Sequence, residues 1–444
     1  MSEALVAAVN TAMNTRKFGG MQIVVAAMCT VITAIDGYDI SSAGFATPAL
    51  SDAWHLPPQA FTQVLVTGSI GLFVGALLSG PIGDWIGRKP TLVTAVFIFG
   101  LFSVLSSLAD SIAFLTAMRF LTGLGLGAAI PLTVALVSDY TPRARHAAIV
   151  ASMATGFPLG AMIGGFIAAR IVHDYGWQSV FLIGGVVPLL YVPVLIIWLP
   201  ESLQFLVLRQ GLSARATALA SRMNIDLKAA ARAVTEAPAA IGRSNPMIAL
   251  FENGYAVRTV LIWIVMAMNF LTTYCLLNWL PALFHADGMT TGEAILATTM
   301  FQPGGLVGGL LIGHLCDRYG AERALTVTVL IGAVFVVLLG FATLPFIGVL
   351  AVMAGIGFGN GGSQMSMNAL AGAIYPPQMR STGVGWALGV GRLGNILGPT
   401  VGGIMLSFGW APQSIILVAA VPALVAIAAL TSLRIVRSAD PAPA

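Results

Sequence analysis

Charge is what this chain has least of. Of its 444 residues only 9% are Asp, Glu, Lys or Arg, against 57% hydrophobic, and the mean hydropathy is +0.91. A soluble domain of this length carries about a quarter charged residues, so a soluble globule is excluded. Cysteine is equally sparse: Cys29, Cys275 and Cys316 all fall within apolar stretches and imply no disulfide framework. No zinc-ligand spacing, nucleophile motif or phosphate loop occurs, so neither an enzyme, a metal nor a cofactor is expected. Glycine runs such as Gly355-Ile356-Gly357-Phe358-Gly359 lie in apolar surroundings, where small residues mean close helix packing rather than a nucleotide.

What is abundant is long apolar sequence. Stretches long enough to cross a bilayer lie near 21–49, 60–82, 91–109, 112–138, 147–171, 179–199, 257–283, 292–315, 324–342, 346–372, 381–407 and 412–433. They predict an all-α membrane protein of twelve transmembrane helices in two six-helix bundles. The divisions expected are a tail over 1–20, a first bundle over 21–199, a central loop over 200–256, a second bundle over 257–433 and a tail over 434–444. That loop is the one long polar stretch, and Arg209, Arg215, Arg222, Lys228, Arg232 and Arg243 make it basic. The first span is too long, too acidic and too closely followed by further spans to be a cleavable signal peptide.

The basic residues set the orientation. All but three of the 21 Lys and Arg fall in the tails or in loops on the tails' side, among them Arg16, Lys17, Arg88, Lys89, Arg143, Arg145, Arg318, Arg323, Arg380, Arg434 and Arg437. Both termini are therefore expected to be cytoplasmic in a bacterial inner membrane. The opposite loops carry Asp52, Asp110, Asp174, Asp287 and Glu293. The pI near 9.1 thus reflects topology, with anionic lipid rather than nucleic acid as the electrostatic partner. Arg119, Arg170 and Arg392 are the exceptions, and only Arg170, at a span end, can snorkel to the interface.

The chain also repeats itself. Gly80-Pro81-Ile82-Gly83-Asp84-Trp85-Ile86-Gly87-Arg88-Lys89 ends the second span and Gly313-His314-Leu315-Cys316-Asp317-Arg318-Tyr319-Gly320 ends the eighth; Asp84 and Asp317 are 233 residues apart. Tyr140, Pro142 and Arg145 are echoed by Tyr375, Pro377 and Arg380 at an offset of 235. Two motifs at nearly one offset indicate a duplicated six-helix unit. In each copy the glycines should let a neighbouring helix approach, and the aspartate should meet a helix N-terminus or an arginine, as a latch that one conformation makes and another breaks. Gly80, Asp84, Gly87, Arg88, Gly313, Asp317 and Arg318 are its candidate members. A plain helix-end charge cluster is the alternative. His314 sits inside the second copy and reads as a gating or structural residue before a proton relay. Asp139, Arg143, Arg145 and Glu201 are expected to form a charge network at the same end of the first half, with Arg380 as the second-half counterpart of Arg145.

These segments resemble the loop signature of the major facilitator superfamily. Arg119-Phe120-Leu121-Thr122-Gly123-Leu124-Gly125-Leu126-Gly127 and Pro200-Glu201-Ser202 look like two further motifs of the same superfamily. Asp36-Gly37-Tyr38-Asp39 in the first span is similar to the signature of its aromatic acid:proton symporter family. Trp85 departs from the pattern, standing where the loop signature usually has a basic residue. The resemblance implies proton-coupled uptake of hydroxybenzoates, protocatechuate or related lignin-derived acids by a monomer; the residues themselves imply a flat or small organic anion.

The buried charges can meet. A carboxylate at mid-membrane depth costs about 2.5 to 3.5 kcal/mol on insertion scales, so Asp36 and Asp39 must line a cavity or find partners. At 1.5 Å per residue Arg119 lies about 10 Å deep and Asp39 about 12 to 15 Å, so a pair is expected, static or proton-coupling. That match makes Asp39 the leading proton candidate and Asp36, nearer the midplane, a candidate for substrate coupling. Arg392, about 16 Å deep, suits an organic carboxylate gripped by both oxygens; a salt bridge to a first-half acid is the alternative. Asn269, Tyr274, Asn278, Trp279, Gln302, Asn360, Ser363, Gln364 and Asn368 add polar or aromatic groups near this level, Tyr38 and Trp279 as ring stackers and the amides as partners of ring hydroxyls; interhelical hydrogen bonding is the plainer reading of each.

Other transporter classes remain open. A proton-coupled drug or efflux antiporter would carry GPxxGG in the fifth span, which here reads Gly160-Ala161-Met162-Ile163-Gly164-Gly165, although the eleventh does have Gly398-Pro399-Thr400-Val401-Gly402-Gly403. A symporter of a non-aromatic organic anion fits the same charges. Sugar porters end in a signature missing after Arg434, and a transporter-like receptor would need a signalling module that the short tails and central loop do not offer.

Overall fold

The computed structural model describes residues 19–142, 145–223, 250–252, 255–375 and 379–438, together with Val9, Thr11, Ile225 and Leu227. Arg143, Lys228, Arg232, Arg243 and Pro377 lie outside the described residues, as do the side chains of Asn368 and Arg380.

Among the described residues, twelve long helical segments account for the spans. The first half holds α1 (Gly20–Trp54), α2 (Thr62–Ile86), α3 (Arg88–Ser106), α4 (Ile112–Tyr140), α5 (His146–Ala154 and Gly156–Tyr175) and α6 (Gln178–Trp198). After the short helices Leu203–Gln210 and Ala214–Arg222 come α7 (Tyr255–Ala286), α8 (Thr291–Thr299 and Phe301–Tyr319) and α9 (Ala321–Phe341). Then follow α10 (Phe346–Ile356, a π-helical turn Gly357–Gly361, and Gly362–Ile374), α11 (Arg380–Ser407) and α12 (Pro412–Val418 and Ala420–Ser438). Several outrun the sequence estimate: α1 continues past 49 to Trp54 through Pro48, and α12 runs on to Ser438. Eleven of the twelve are long and apolar enough to cross a membrane. The exception is α11, a 28-residue helix diluted by Arg392, Asn395 and its glycines.

Glycine sets how closely the helices pack. Gly71 and Gly75 of α2 abut the carbonyls of Phe120 and Leu124, while Gly123 and Gly127 of α4 abut those of Gly68 and Leu72, so the two backbones interlock. In the second half Gly394 and Gly398 of α11 meet the backbone of α7 at Ala267, Leu271 and Cys275. With lipid as apolar as leucine, such contacts hold a bundle by van der Waals packing.

The halves touch toward the end opposite the termini. There Gly44 meets Leu277, Gly403 meets Thr62, Gly165 meets Thr299 and Gly292 meets Ala169. Asp52 at the end of α1 also pairs with His285 Nε2 at 3.0 Å. Apolar clusters at this end mix the halves: Leu65 joins Trp279, Leu280 and Leu283, and Ile295 joins Phe45, Ala168 and Val172. Nearer the termini each cluster belongs to one half, around Leu92, Leu132 and Leu136 in the first and Ile262, Leu325 and Leu430 in the second. The bundle is closed far from the termini, and its halves keep separate cores beside them.

Candidate functional site

The centre of the first half is a buried ion pair between α1 and α4. Spacing by three on α1 turns Asp36 and Asp39 toward the protein interior, and both are buried. Asp39 Oδ2 accepts Arg119 Nη2 at 3.0 Å, with the aspartate 1% and the arginine 4% exposed. Its Oδ1 accepts the Ser103 hydroxyl of α3 at 2.7 Å. Arg119 Nη1 donates to Ser42 at 3.0 Å, and its guanidinium lies over the Phe181 ring of α6, 4.9 Å from the centroid. The expected contact of α1 with α4 is therefore present, and four helices contribute to it.

Asp36 has the opposite surroundings. It is 0% exposed and neither carboxyl oxygen has a hydrogen-bond partner. Across the seam between halves, Arg392 and Tyr274 lie within its electrostatic reach, yet no ion pair closes, and Arg392 Nη1 is also without a partner. Asn395, one turn from Arg392, shares a cavity with Tyr274, and its buried Oδ1 has no hydrogen-bond partner. A carboxyl and a guanidinium with unused capacity thus lie within electrostatic range of each other, one on each bundle.

Two cavities share Tyr274 in their walls, and neither has Asp36 or Arg392 in its lining. One is bounded by Asp39, Arg119, Ser69, Tyr274, Asn278 and Asn395, the other by Ser41, Thr273, Tyr274, Gln302 and Gln364 with Phe157 and Phe301. Tyr274 stacks on Phe270 with ring centroids 6.1 Å apart and planes inclined by 6°. Asn278 spends its amide N–H on the Tyr274 carbonyl at 2.8 Å, leaving its oxygen to the cavity.

Four expected ligand residues are committed elsewhere. Trp279 is fully buried, donates its indole N–H to the Pro399 carbonyl at 3.0 Å and packs on Gly402, so it is unavailable for ring stacking. Tyr38 donates to the Val180 carbonyl at 2.6 Å and its ring fills the space left by Gly164 and Gly184. Asn269 binds the Asn360 carbonyl at 3.3 Å inside the second half, and Ser363 pairs with Thr328. In each case interhelical packing wins because a glycine, a carbonyl or a hydroxyl on a neighbouring helix offers a closer partner than the cavity.

At the terminal end the first half has a closed charge network. Arg88 pairs with Asp139 and donates to the Ala135 carbonyl at 2.8 Å; Ser202 binds the same Asp139 carboxylate. Glu201 Oε1 accepts the backbone N–H of Arg88 and Lys89 at 3.0 and 3.1 Å, and Tyr140 donates to the Glu201 carbonyl. Gly87 has φ +117° and Glu201 lies against it, a place where a side chain would be both strained and blocked.

The latch itself is not made. A Cβ added at Gly80 or Gly313 would meet nothing within 4 Å, which corrects the expectation that these glycines seat a neighbouring helix in this conformation. Asp84, His314 and Asp317 are exposed; the Asp84 carbonyl accepts Arg209 Nη2 at 3.2 Å, and Arg318 covers Tyr319. Arg145 is exposed as well. The terminal end is where the halves have separated, so the latch surfaces face open space.

Sequence reading missed Ser42, Ser103, Phe181 and Asn395. Ser42 and Asn395 were within reach, each three residues after a named charge and so on the same helix face. Ser103 and Phe181 carry no local signal; only the packing of α3 and α6 against α1 brings them in.

Comparison with known proteins agrees with this geometry. The family model of the Major Facilitator Superfamily matches residues 29–253 and 262–444. The chain is 38% identical over 435 residues to the 4-hydroxybenzoate transporter PcaK of Pseudomonas putida, covering 97% of each chain. This protein belongs to the major facilitator superfamily, in its aromatic-acid transporter branch. A gallate transporter of Pseudomonas putida is 35% identical over 396 residues, 89% of this chain and 88% of its own. Among solved structures the partially occluded, inward-open xylose transporter XylE of E. coli superposes with a TM-score of 0.72 at 17% identity, over 92% of this chain and 97% of that one. As a facilitator this chain is a multi-pass membrane transporter and not an enzyme.

Proposed function

We propose that this facilitator takes up an aromatic carboxylate together with protons across a bacterial inner membrane, its termini in the cytoplasm. The observation that carries the reading is that Asp36 and Arg392, within electrostatic range of each other, both have unused bonding capacity. An enclosed carboxyl without a partner is kept most cheaply in its neutral form. Protonated Asp36 leaves the Arg392 guanidinium to the substrate carboxylate, which it grips by both oxygens. Once substrate leaves, Arg392 attracts Asp36 and the proton departs; Asp39 stays bonded to Arg119 and Ser103. The proton role passes from Asp39 to Asp36 on this reading.

Relatives named for 4-hydroxybenzoate and gallate support a ring-bearing substrate. Tyr274 supplies a face for the ring, and Asn278, Gln302, Gln364 and Asn395 supply donors and acceptors for ring hydroxyls. Alternating access moves the bundle up to 199 against the bundle from 257, with the Gly80–Arg88 and Gly313–Arg318 segments, Asp139, Arg145, Glu201 and Arg380 closing the cytoplasmic end when the far end opens.

Uptake of radiolabelled 4-hydroxybenzoate into proteoliposomes, with and without an imposed inward proton gradient, tests this. Accumulation driven by the gradient is expected. Equal uptake with the gradient reversed or collapsed overturns proton symport, and no uptake of any aromatic acid overturns the substrate class.

A further inference from the structure

Ser103 is a buried hydroxyl on α3 between Phe102 and Val104, with Phe99 one turn away. Its oxygen lies 2.7 Å from Asp39 Oδ1 and 3.1 Å from the Phe181 carbonyl. The space is made by Gly184 of α6, where a Cβ would stand 2.9 Å from Asp39 Oδ1 and 3.1 Å from Ser103 Oγ. A serine aimed at one carboxylate oxygen, and a glycine emptied beside both, form a built seat for Asp39. Arg119 then takes the remaining oxygen.

We infer that Ser103, seated by Gly184, is a positioning residue that holds the Asp39 carboxylate on Arg119 throughout transport, so that Asp36 alone exchanges the proton. The inference rests on the proton coupling proposed above. Donors on both oxygens favour a carboxylate's charged form, whereas a buried oxygen stripped of its donor favours the neutral one. The ionisable groups around Asp39 are Arg119 from α4, Asp36 and the Tyr38 phenol on α1, and the Tyr274 phenol, which lines the same cavity from α7. Arg392 of α11 lies beyond Asp36. From α3 and α6 come only the Ser103 hydroxyl and the Phe181 ring, and the α2 residues on that cavity, Gly68, Ser69 and Leu72 among them, carry no ionisable group.

Full-length Ser103→Ala and Gly184→Ala, reconstituted at matched protein density, test this through the pH dependence of 4-hydroxybenzoate uptake. In Ser103→Ala the acid limb of the profile should move about one pH unit toward neutral while the rate at the optimum stays within about two-fold. Gly184→Ala, which crowds the same oxygen and hydroxyl, should move it the same way. Profiles that superimpose on the native one, whether or not the rate falls, overturn the inference. Native uptake that ignores the proton gradient overturns the coupling itself, a result separable from the variants' behaviour.

Discussion

Asp36 and Asp39 stand one helical turn apart on α1 with opposite surroundings: Asp39 is bonded through both carboxyl oxygens, and Asp36 through neither. Proximity in sequence concealed a division of labour. One carboxylate joins four helices of a single bundle; the other faces the second bundle across the seam.

Asp36→Asn should therefore abolish accumulation against a gradient while leaving substrate exchange. Asparagine mimics the protonated acid and leaves Arg392 available. Counterflow of labelled 4-hydroxybenzoate near the native rate, with gradient-driven uptake lost, is the expected pair of results; retained pH-driven accumulation contradicts the assignment.

Arg392→Lys keeps the charge and loses the two-pronged grip. Uptake should fall at least about tenfold, the worth of one charged hydrogen bond of about 1.4 kcal/mol or more, with normal protein in the membrane. Immunoblots of the membrane fraction beside uptake rates separate binding from insertion.

Breaking the buried pair by Arg119→Ala should destabilise the first bundle by about 3 to 5 kcal/mol, because Asp39 is left enclosed without its partner. Arg119→Ala/Asp39→Asn should recover part of that loss. Thermal unfolding in detergent, followed by tryptophan fluorescence, checks the order: native, then double, then single variant.

Gly80→Cys and Gly313→Cys place a thiol in open space in the conformation described here. The native cysteines are buried, so background labelling by a water-soluble maleimide should be low. Both engineered thiols should react readily, and conditions that close the terminal end should protect both together; protection of one alone argues against a paired latch.

The helices, their duplication and the meeting of Arg119 with Asp39 were legible because each leaves a one-dimensional trace: apolar length, a repeated motif, matched depth. Side-chain direction was not. Trp279 and Tyr38 sit at depths suited to a ligand, but Gly402, Gly164 and Gly184 on neighbouring helices draw their rings into the packing, and no spacing within α1 or α7 reports that. The open surfaces at Gly80 and Gly313 were illegible for a different reason, since one sequence encodes both the made and the unmade latch.

The mixing of apolar clusters at only one end bears on the resting equilibrium. Leu65 and Ile295 are large side chains that cross the closed seam, and exposing each costs about 1.5 to 3 kcal/mol. That sum is comparable to the roughly 5.5 kcal/mol that carries a two-state population from 1:99 to 99:1. Parting these two side chains alone therefore takes a free energy of the size that proton and substrate binding would supply under the proposed symport.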